Sequence, residues 1–393
     1  VLIKFLKNEI PEDILMGIVK KAYNFPVPLQ KIKEGLYILY LDRGPTASFK
    51  DFAARFMAEV MDYLAKQKNL NLTILVATSG DTGGAIANAF YGKENVKVVI
   101  LFPKDEITDI QRKQMTTLNK NIIPIGVKGK FDDCQNLVKR AFNDPELKNL
   151  NLTSANSINI SRLLPQSVYY FYAFSRLNDE NISFSVPSGN FGNLMGGVIA
   201  KKMGLPIEKF IVAVNENDEF PKFLETGDYL PIIPSKRCNS NAMNVGHPSN
   251  LARLIDLYGG WLYDERDEKG RVIKYGVLKI KPEMEKLKKD FISFSIRDEE
   301  VCGIIKKYYE EYKVLLDPHG AVGIGAYEKS GIKNQVISIE TAHPGKFQEV
   351  IKDVVGFEPE IPETLKEIIN KEEKYFEIEN KYEEFKEFLK GIK

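Results

Sequence analysis

The sequence predicts an α/β protein built as two doubly wound domains, and three observations point there. Short β-branched runs alternate with helical patterns, the chain is long enough for two cores, and several runs end in loops of Gly, Ser, Thr and Asn. In chain order the runs are LTILVAT (72–78), VKVVILFP (96–103), NIIPIGV (121–127), ISFSVPS (182–188), FIVAVN (210–215) and VISIET (336–341). Each gives way to helical spacing, the pattern of parallel strands joined by crossover helices. No internal repeat or low-complexity linker interrupts it. The tail from Pro359 to Lys393 turns Glu/Lys-rich and reads as a solvated helical cap, and Pro231 to Pro248 is rich in turn formers and reads as a surface loop.

Composition narrows the function classes. The 393 residues are 44% hydrophobic and 28% charged, enough for a sizeable core. Lys+Arg 55 against Asp+Glu 54 leaves a net charge of +1, so no global field favours nucleic acid or an anionic membrane. Cys134, Cys238 and Cys302 lie far apart, as do His247, His319 and His343, so neither a disulfide framework nor a metal-ligand spacing is expected. No apolar run reaches the roughly 18 residues of a membrane span, and the start lacks a secretory leader pattern, so a cytoplasmic location is expected. The chain opens on Val1, which suggests a processed or incomplete N-terminus.

The stretch GPTASFKDFAARF (44–56) passes from loop to helix and puts Lys50 in the first turn. Ser48 and Asp51 read as a capping box, so Lys50 sits beside exposed N–H groups, where an ammonium is disfavoured. Phe52, Ala53, Phe56, Met57, Val60 and Leu64 fall on one arc, with Lys50 at its edge. Both effects favour a reactive neutral amine.

Several loops at strand ends can bind anions. Thr78-Ser79-Gly80-Asp81-Thr82 follows the first run and opens a helix with small residues, so hydroxyls and free amides converge. Ser188-Gly189-Asn190-Phe191-Gly192-Asn193 suits a backbone nest around a phosphate without a lysine, and it is neither a Walker loop nor a dinucleotide fingerprint. Asn156, Ser157 and Arg162 in NSINISR offer donors for a second phosphate or carboxylate. Thr341 ends the last run, and in an open α/β sheet ligands bind at the carboxyl ends of strands. These loops together ask for one lysine amine, one phosphate cup and a separate dianion site.

Taken together, GPTASFKDF, ATSGDTGG, NSINISR, VPSGNFGN and ETAHPGKF resemble the motifs of the threonine synthases, over nearly the whole chain. That family belongs to the fold-type II pyridoxal-phosphate enzymes, which are tryptophan synthase β-like in fold. Asp81, Phe191 and SNAM (240–243) resemble its microbial branch, whose members normally begin with a further N-terminal segment. The resemblance implies that Lys50 carries pyridoxal 5'-phosphate covalently and that Asp81 lies near its phenolic oxygen. It also implies that Ser188, Gly189, Asn190, Phe191, Gly192 and Asn193 hold its phosphate, and that Thr341 meets its pyridine nitrogen. Thr78, Ser79, Gly80 and Thr82 would bind the substrate carboxylate. Asn156, Ser157 and Arg162, with Asn190, would bind the phosphate of O-phospho-L-homoserine.

The implied reaction is γ-elimination of phosphate followed by β-addition of water, giving L-threonine and phosphate. Lys50 would serve as tether and then as base; His319 and His343 would be structural, and no metal is expected. The implied division is a large domain (1–49 and 163–393, with the cup and the helical cap) and a smaller one (50–162, with the substrate loop) acting as a lid. A monomer or homodimer is expected. The rival readings are another fold-type II lyase, a threonine dehydratase or a phospholyase releasing 2-oxobutyrate and ammonia, and a non-catalytic phosphate-ligand module.

Overall fold

The computed structural model describes residues 1–177, 181–268 and 270–392; Lys393, the end of the expected tail helix, lies outside them. Strands β1 (Leu29–Lys33) and β2 (Leu36–Tyr40) are followed by β3 (Leu72–Ala77), β4 (Val96–Pro103), β5 (Ile122–Lys128) and β6 (Leu152–Ser154). Then come β7 (Ile182–Pro187), β8 (Ile207–Val214), β9 (Trp261–Arg266), β10 (Val272–Ile280), β11 (Phe291–Ser295), β12 (Gln335–Glu340) and β13 (Phe376–Glu379). The chain divides into two compact units, one of Val1, Pro26–Arg43 and Leu163–Ile361, the other of Leu2–Phe25, Gly44–Arg162 and Pro362–Lys393.

The second unit holds a parallel sheet in the order β13-β5-β4-β3-β6. Its central strands are continuous apolar runs because both faces are covered. Ile74, Val76, Val98 and Ile100 pack in one core, while Leu75, Ala77, Val99 and Leu101 pack in another. Alternate residues of one strand thus serve opposite faces, as the two-residue period requires. Because β6 pairs with β3, the loops that follow both strands leave from neighbouring ends.

This unit departs from the expected division at both chain ends. Residues 2–25 join it because helix Glu12–Ala22 packs on helix Lys50–Lys68. Arg55 Nε donates to the Ala22 carbonyl at 2.9 Å and caps the end of the shorter helix. The tail joins it because β13 pairs with β5 and Phe385 and Leu389 are buried, so this segment is core rather than a solvated cap.

The first unit holds a six-stranded sheet in the order β1-β2-β12-β7-β8-β11, with only β1 and β2 antiparallel. β12 lies beside β7 in register Ser338↔Ser185, so the segments after Glu340 and Pro187 emerge side by side. β9 and β10 form a separate hairpin. The segment 231–248 carries only the short turn Asn241–Met243 and is at the surface as expected over Ile233, Pro234, Lys236 and Arg237, but Cys238, Ser240, Met243 and Val245 are buried, so its second half is packed interior.

Candidate active site

Lys50 opens helix Lys50–Lys68, but not through the expected box. The residue before the helix is Phe49, in helical conformation and without a side-chain cap. Ser48 Oγ accepts weakly from Lys50 N at 3.4 Å, and Asp51 turns back instead to Thr46. Its Oδ2 accepts from Thr46 N at 2.9 Å and its Oδ1 from Thr46 Oγ1 at 2.7 Å. Gly44 makes room, since a Cβ there would lie 2.4 Å from Asp51 Oδ2. The Lys50 side chain is 15% exposed and its Nζ lies 4.8 Å from the Phe49 ring centroid and 3.8 Å from Asp81 Oδ2. That carboxylate favours the ammonium, so the helix terminus alone does not set the state of the amine.

Asp81 is buried at the start of helix Asp81–Phe90. Its Oδ1 accepts from Gln111 Nε2 at 3.0 Å. Gln111 was not foreseen, although TDIQ (108–111) carries the signal of a capping box. Thr108 Oγ1 accepts from Gln111 N, and Gln111 Oε1 accepts from Thr108 N at 3.1 Å. Gly80 has φ 127, and a Cβ there would lie 2.5 Å from Gln111 Cδ. Both its backbone and its neighbour therefore require glycine.

The expected substrate-loop hydroxyls divide in two. Thr78 Oγ1 is buried and accepts from Gly80 N at 3.0 Å and Gly83 N at 2.8 Å, so it braces the turn. Ser79 and Thr82 are half-buried on the same turn. The second anion segment shows a similar division. Asn156 Nδ2 donates to Ala77 O at 2.6 Å and its Oδ1 accepts from Ala77 N at 3.2 Å, which extends the β3 to β6 pairing with a side chain. Ser157 is half-buried, and Arg162 is buried with Nη1 donating to Ala155 O. Burial pushes the Arg162 guanidinium down to about 10, against the pull of Asp51.

In the first unit, the loop after β7 enters helix Gly192–Lys202 through Phe191, at φ 59. Ser188 Oγ donates to Val186 O at 2.8 Å and Asn193 Nδ2 to Pro187 O at 2.7 Å, so both side chains brace the strand end. Among the described residues the main-chain N–H groups of Gly189, Asn190, Phe191, Gly192 and Asn193 meet no acceptor. Asn190 is clasped from behind: its Oδ1 accepts from Ser249 Oγ at 3.0 Å and its O from Asn250 Nδ2 at 2.9 Å. A Cβ on Gly189 would lie 2.8 Å from Ala242 O, so the segment read as a surface loop forms the wall of the cup. These amides fit a phosphate held by main-chain donors.

Thr341 follows β12 and is 5% exposed, beside a buried acidic group. Asp317 Oδ1 accepts from His319 Nδ1 at 2.5 Å, and His319 Nε2 accepts from Ala242 N at 3.1 Å, so both ring nitrogens are structural. Glu340 Oε1 accepts from Asp317 N at 2.7 Å, and burial pushes its carboxyl well up. Burial pushes Asp42 up to about 6 and His343 down to about 4, which leaves His343 neutral. Thr341 thus offers a neutral hydroxyl, which suits a pyridine nitrogen. Among the described residues no cluster could hold a metal ion.

Comparison with known proteins places the chain in a family. The model of the pyridoxal-phosphate dependent enzymes matches residues 23–271, and that of the threonine synthase C-terminal region matches 320–389. The threonine synthase of Haemophilus influenzae is 41% identical over 372 residues, covering 92% of this chain and 80% of the relative. This chain belongs to the threonine synthase family. The structure of the Escherichia coli threonine synthase matches at TM-score 0.88 and 37% identity, over all of this chain and 86% of that one. A pyridoxal-phosphate-bound threonine synthase from Brucella melitensis matches at TM-score 0.89 and 35% identity, over 99% and 86%. The fold is that of the fold-type II pyridoxal-phosphate enzymes, and the chain is a lyase with that cofactor.

Proposed function

We propose that this lyase converts O-phospho-L-homoserine and water to L-threonine and inorganic phosphate. The observation that carries the reading is a single lysine amine at a helix start, 3.8 Å from a buried carboxylate that a carboxamide holds in place. Pyridoxal 5'-phosphate, when bound, supplies the electron sink that makes carbon-bound protons of the substrate removable. Lys50 would hold the cofactor, and its Nζ would move protons at the substrate Cα and then at Cβ. Asp81 would lie near the phenolic oxygen and sets the charge around that amine. The amides of Gly189 to Asn193 would hold the cofactor phosphate, with Ser188 and Asn193 bracing the loop, and Thr341 would meet the pyridine nitrogen.

Ser79, Gly80 and Thr82 take the substrate carboxylate, while Thr78 keeps their turn in shape. Ser157 and Arg162 stabilise the departing phosphate with charged and neutral donors, and Asn156 keeps their loop in register with β3. The C–O bond at Cγ breaks with release of phosphate, the two protons taken from Cα and Cβ are returned to Cα and Cγ, and the water oxygen bonds to Cβ while its displaced proton leaves with the phosphate. We place the reaction in the cytoplasm, where the free thiols of Cys134, Cys238 and Cys302 stay reduced.

Incubation with O-phospho-L-homoserine and analysis of both products tests the reading. Threonine and phosphate in equal amounts are expected. A ketoacid with ammonia as the main product would instead identify a dehydratase or phospholyase. No turnover, with no cofactor fixed to Lys50 by borohydride, would mark a binding module.

A further inference from the structure

Helix Asp109–Thr116 touches both sides of the Lys50 centre through two glutamines one turn apart. Gln114 Nε2 donates to Thr46 O at 2.9 Å, in the turn that Asp51 ties down ahead of Lys50. Gln111, fully buried, donates from Nε2 to Asp81 Oδ1, and Asp81 Oδ2 is the oxygen nearest Lys50. We infer that Gln111 is a positioning residue of the reaction, holding Asp81 so that one oxygen is committed and the other faces the Lys50 amine.

The orientation of the Gln111 carboxamide is fixed by its second partner. Oε1 accepts from Thr108 N at 3.1 Å, so a flipped amide would set its NH2 against a backbone N–H and its oxygen against a carboxylate. Thr108, the helix N-cap, is thus the anchor of a path that runs Thr108, Gln111, Asp81, Lys50. Gly80 gives this carboxamide the space it fills, since any Cβ there would overlap it. Loss of the Gln111 donor removes the hydrogen bond that commits Asp81 Oδ1, which changes how the carboxylate meets the amine and how readily Lys50 gives up its proton. A purely structural glutamine would alter stability and leave that property alone.

The inference rests on the assignment of Lys50 and Asp81 above, and its test separates the two. Gln111→Leu and Gln111→Glu are prepared beside the parent, the second being an isostere that keeps the side-chain volume. Acetylation of Lys50 in the cofactor-free proteins is followed by peptide mass spectrometry across pH, and the absorbance of the cofactor-bound proteins is titrated. The expected result is a shift of at least about 0.5 pH unit in the Lys50 modification midpoint and in the absorbance midpoint, with kcat falling more than KM rises. Parental midpoints in both variants would overturn the inference, even if both unfold more easily. Should Gln111→Leu fail to fold, Gln111→Glu alone decides by the same criterion. Failure of borohydride to fix cofactor on Lys50 in the parent would overturn the assignment of Lys50, while the acetylation midpoints would still judge Gln111.

Discussion

Asp51 binds Thr46 twice, through N–H and hydroxyl, and so closes the turn from which Lys50 projects. Asp51 is fully buried, and its removal takes away the acceptor that both these Thr46 donors use. Asp51→Ala is expected to cost about 2–3 kcal/mol of stability, with Asp51→Asn costing less because one acceptor survives. Urea unfolding of the cofactor-free proteins measures it. Equal losses in the two variants would mean that the carboxylate's charge, rather than its hydrogen bonds, holds the turn.

Gly189 stands against the backbone of Ala242 and Met243, with a Cβ 2.8 Å from the Ala242 oxygen. Backbone cannot step aside as a side-chain end can, so Gly189→Ala must push the cup open. Cofactor affinity is expected to fall about tenfold, or about 1.4 kcal/mol, in a titration followed by cofactor absorbance. Unchanged affinity would remove Gly189 from the phosphate site.

What the sequence revealed follows the physics of burial. β3, β4 and β7 were legible because both faces of their sheets are covered, so they read as unbroken apolar runs. β9 and β10 were not, since Trp261, Tyr263, Ile273 and Tyr275 are exposed and register shifts break the alternation. β13 has one buried residue, Ile378, among charges that imitate a solvated helix. The loops around Lys50 and Gly189 were recognisable because their residue types are local. Whether Thr78 and Asn156 turn to a ligand or to their own backbone was not, because the same atoms serve either purpose. The role of Gln111 is not legible from its neighbours, because its partner, Asp81, lies thirty positions away in sequence.

The tail carries more stability than its charge suggests. Phe385 is fully buried with Phe131, Cys134 and Leu137, and beside it Tyr382 donates to Asp144 Oδ2 at 2.7 Å. Phe385→Ala is expected to cost about 3–5 kcal/mol, and Phe388→Ala, at a half-buried position, clearly less. Denaturant midpoints compared at constant slope check this. A small effect of Phe385→Ala would show the tail to be an appendage rather than core.

Glu219 gives a pH dependence whose sign is fixed by burial. It lies beside Phe220, whose ring meets the Phe191 ring of the cup edge-on at 5.0 Å. Its Oε2 meets no hydrogen-bond donor among the described residues, and burial pushes the carboxyl up to about 8. The unfolded chain ionises this group near its ordinary value of 4.5, while the folded chain keeps the proton until about pH 8. Between those values the folded state binds more protons, so this group's contribution is complete below pH 4.5 and is lost as pH rises towards 8. Glu219→Gln does not titrate. Relative to the parent, the variant is expected to gain on the order of 4 kcal/mol between pH 5 and pH 8.5. Unfolding free energies of both proteins at the two pH values measure the difference. A parallel pH dependence in parent and variant would show that Glu219 is ionised in the folded chain.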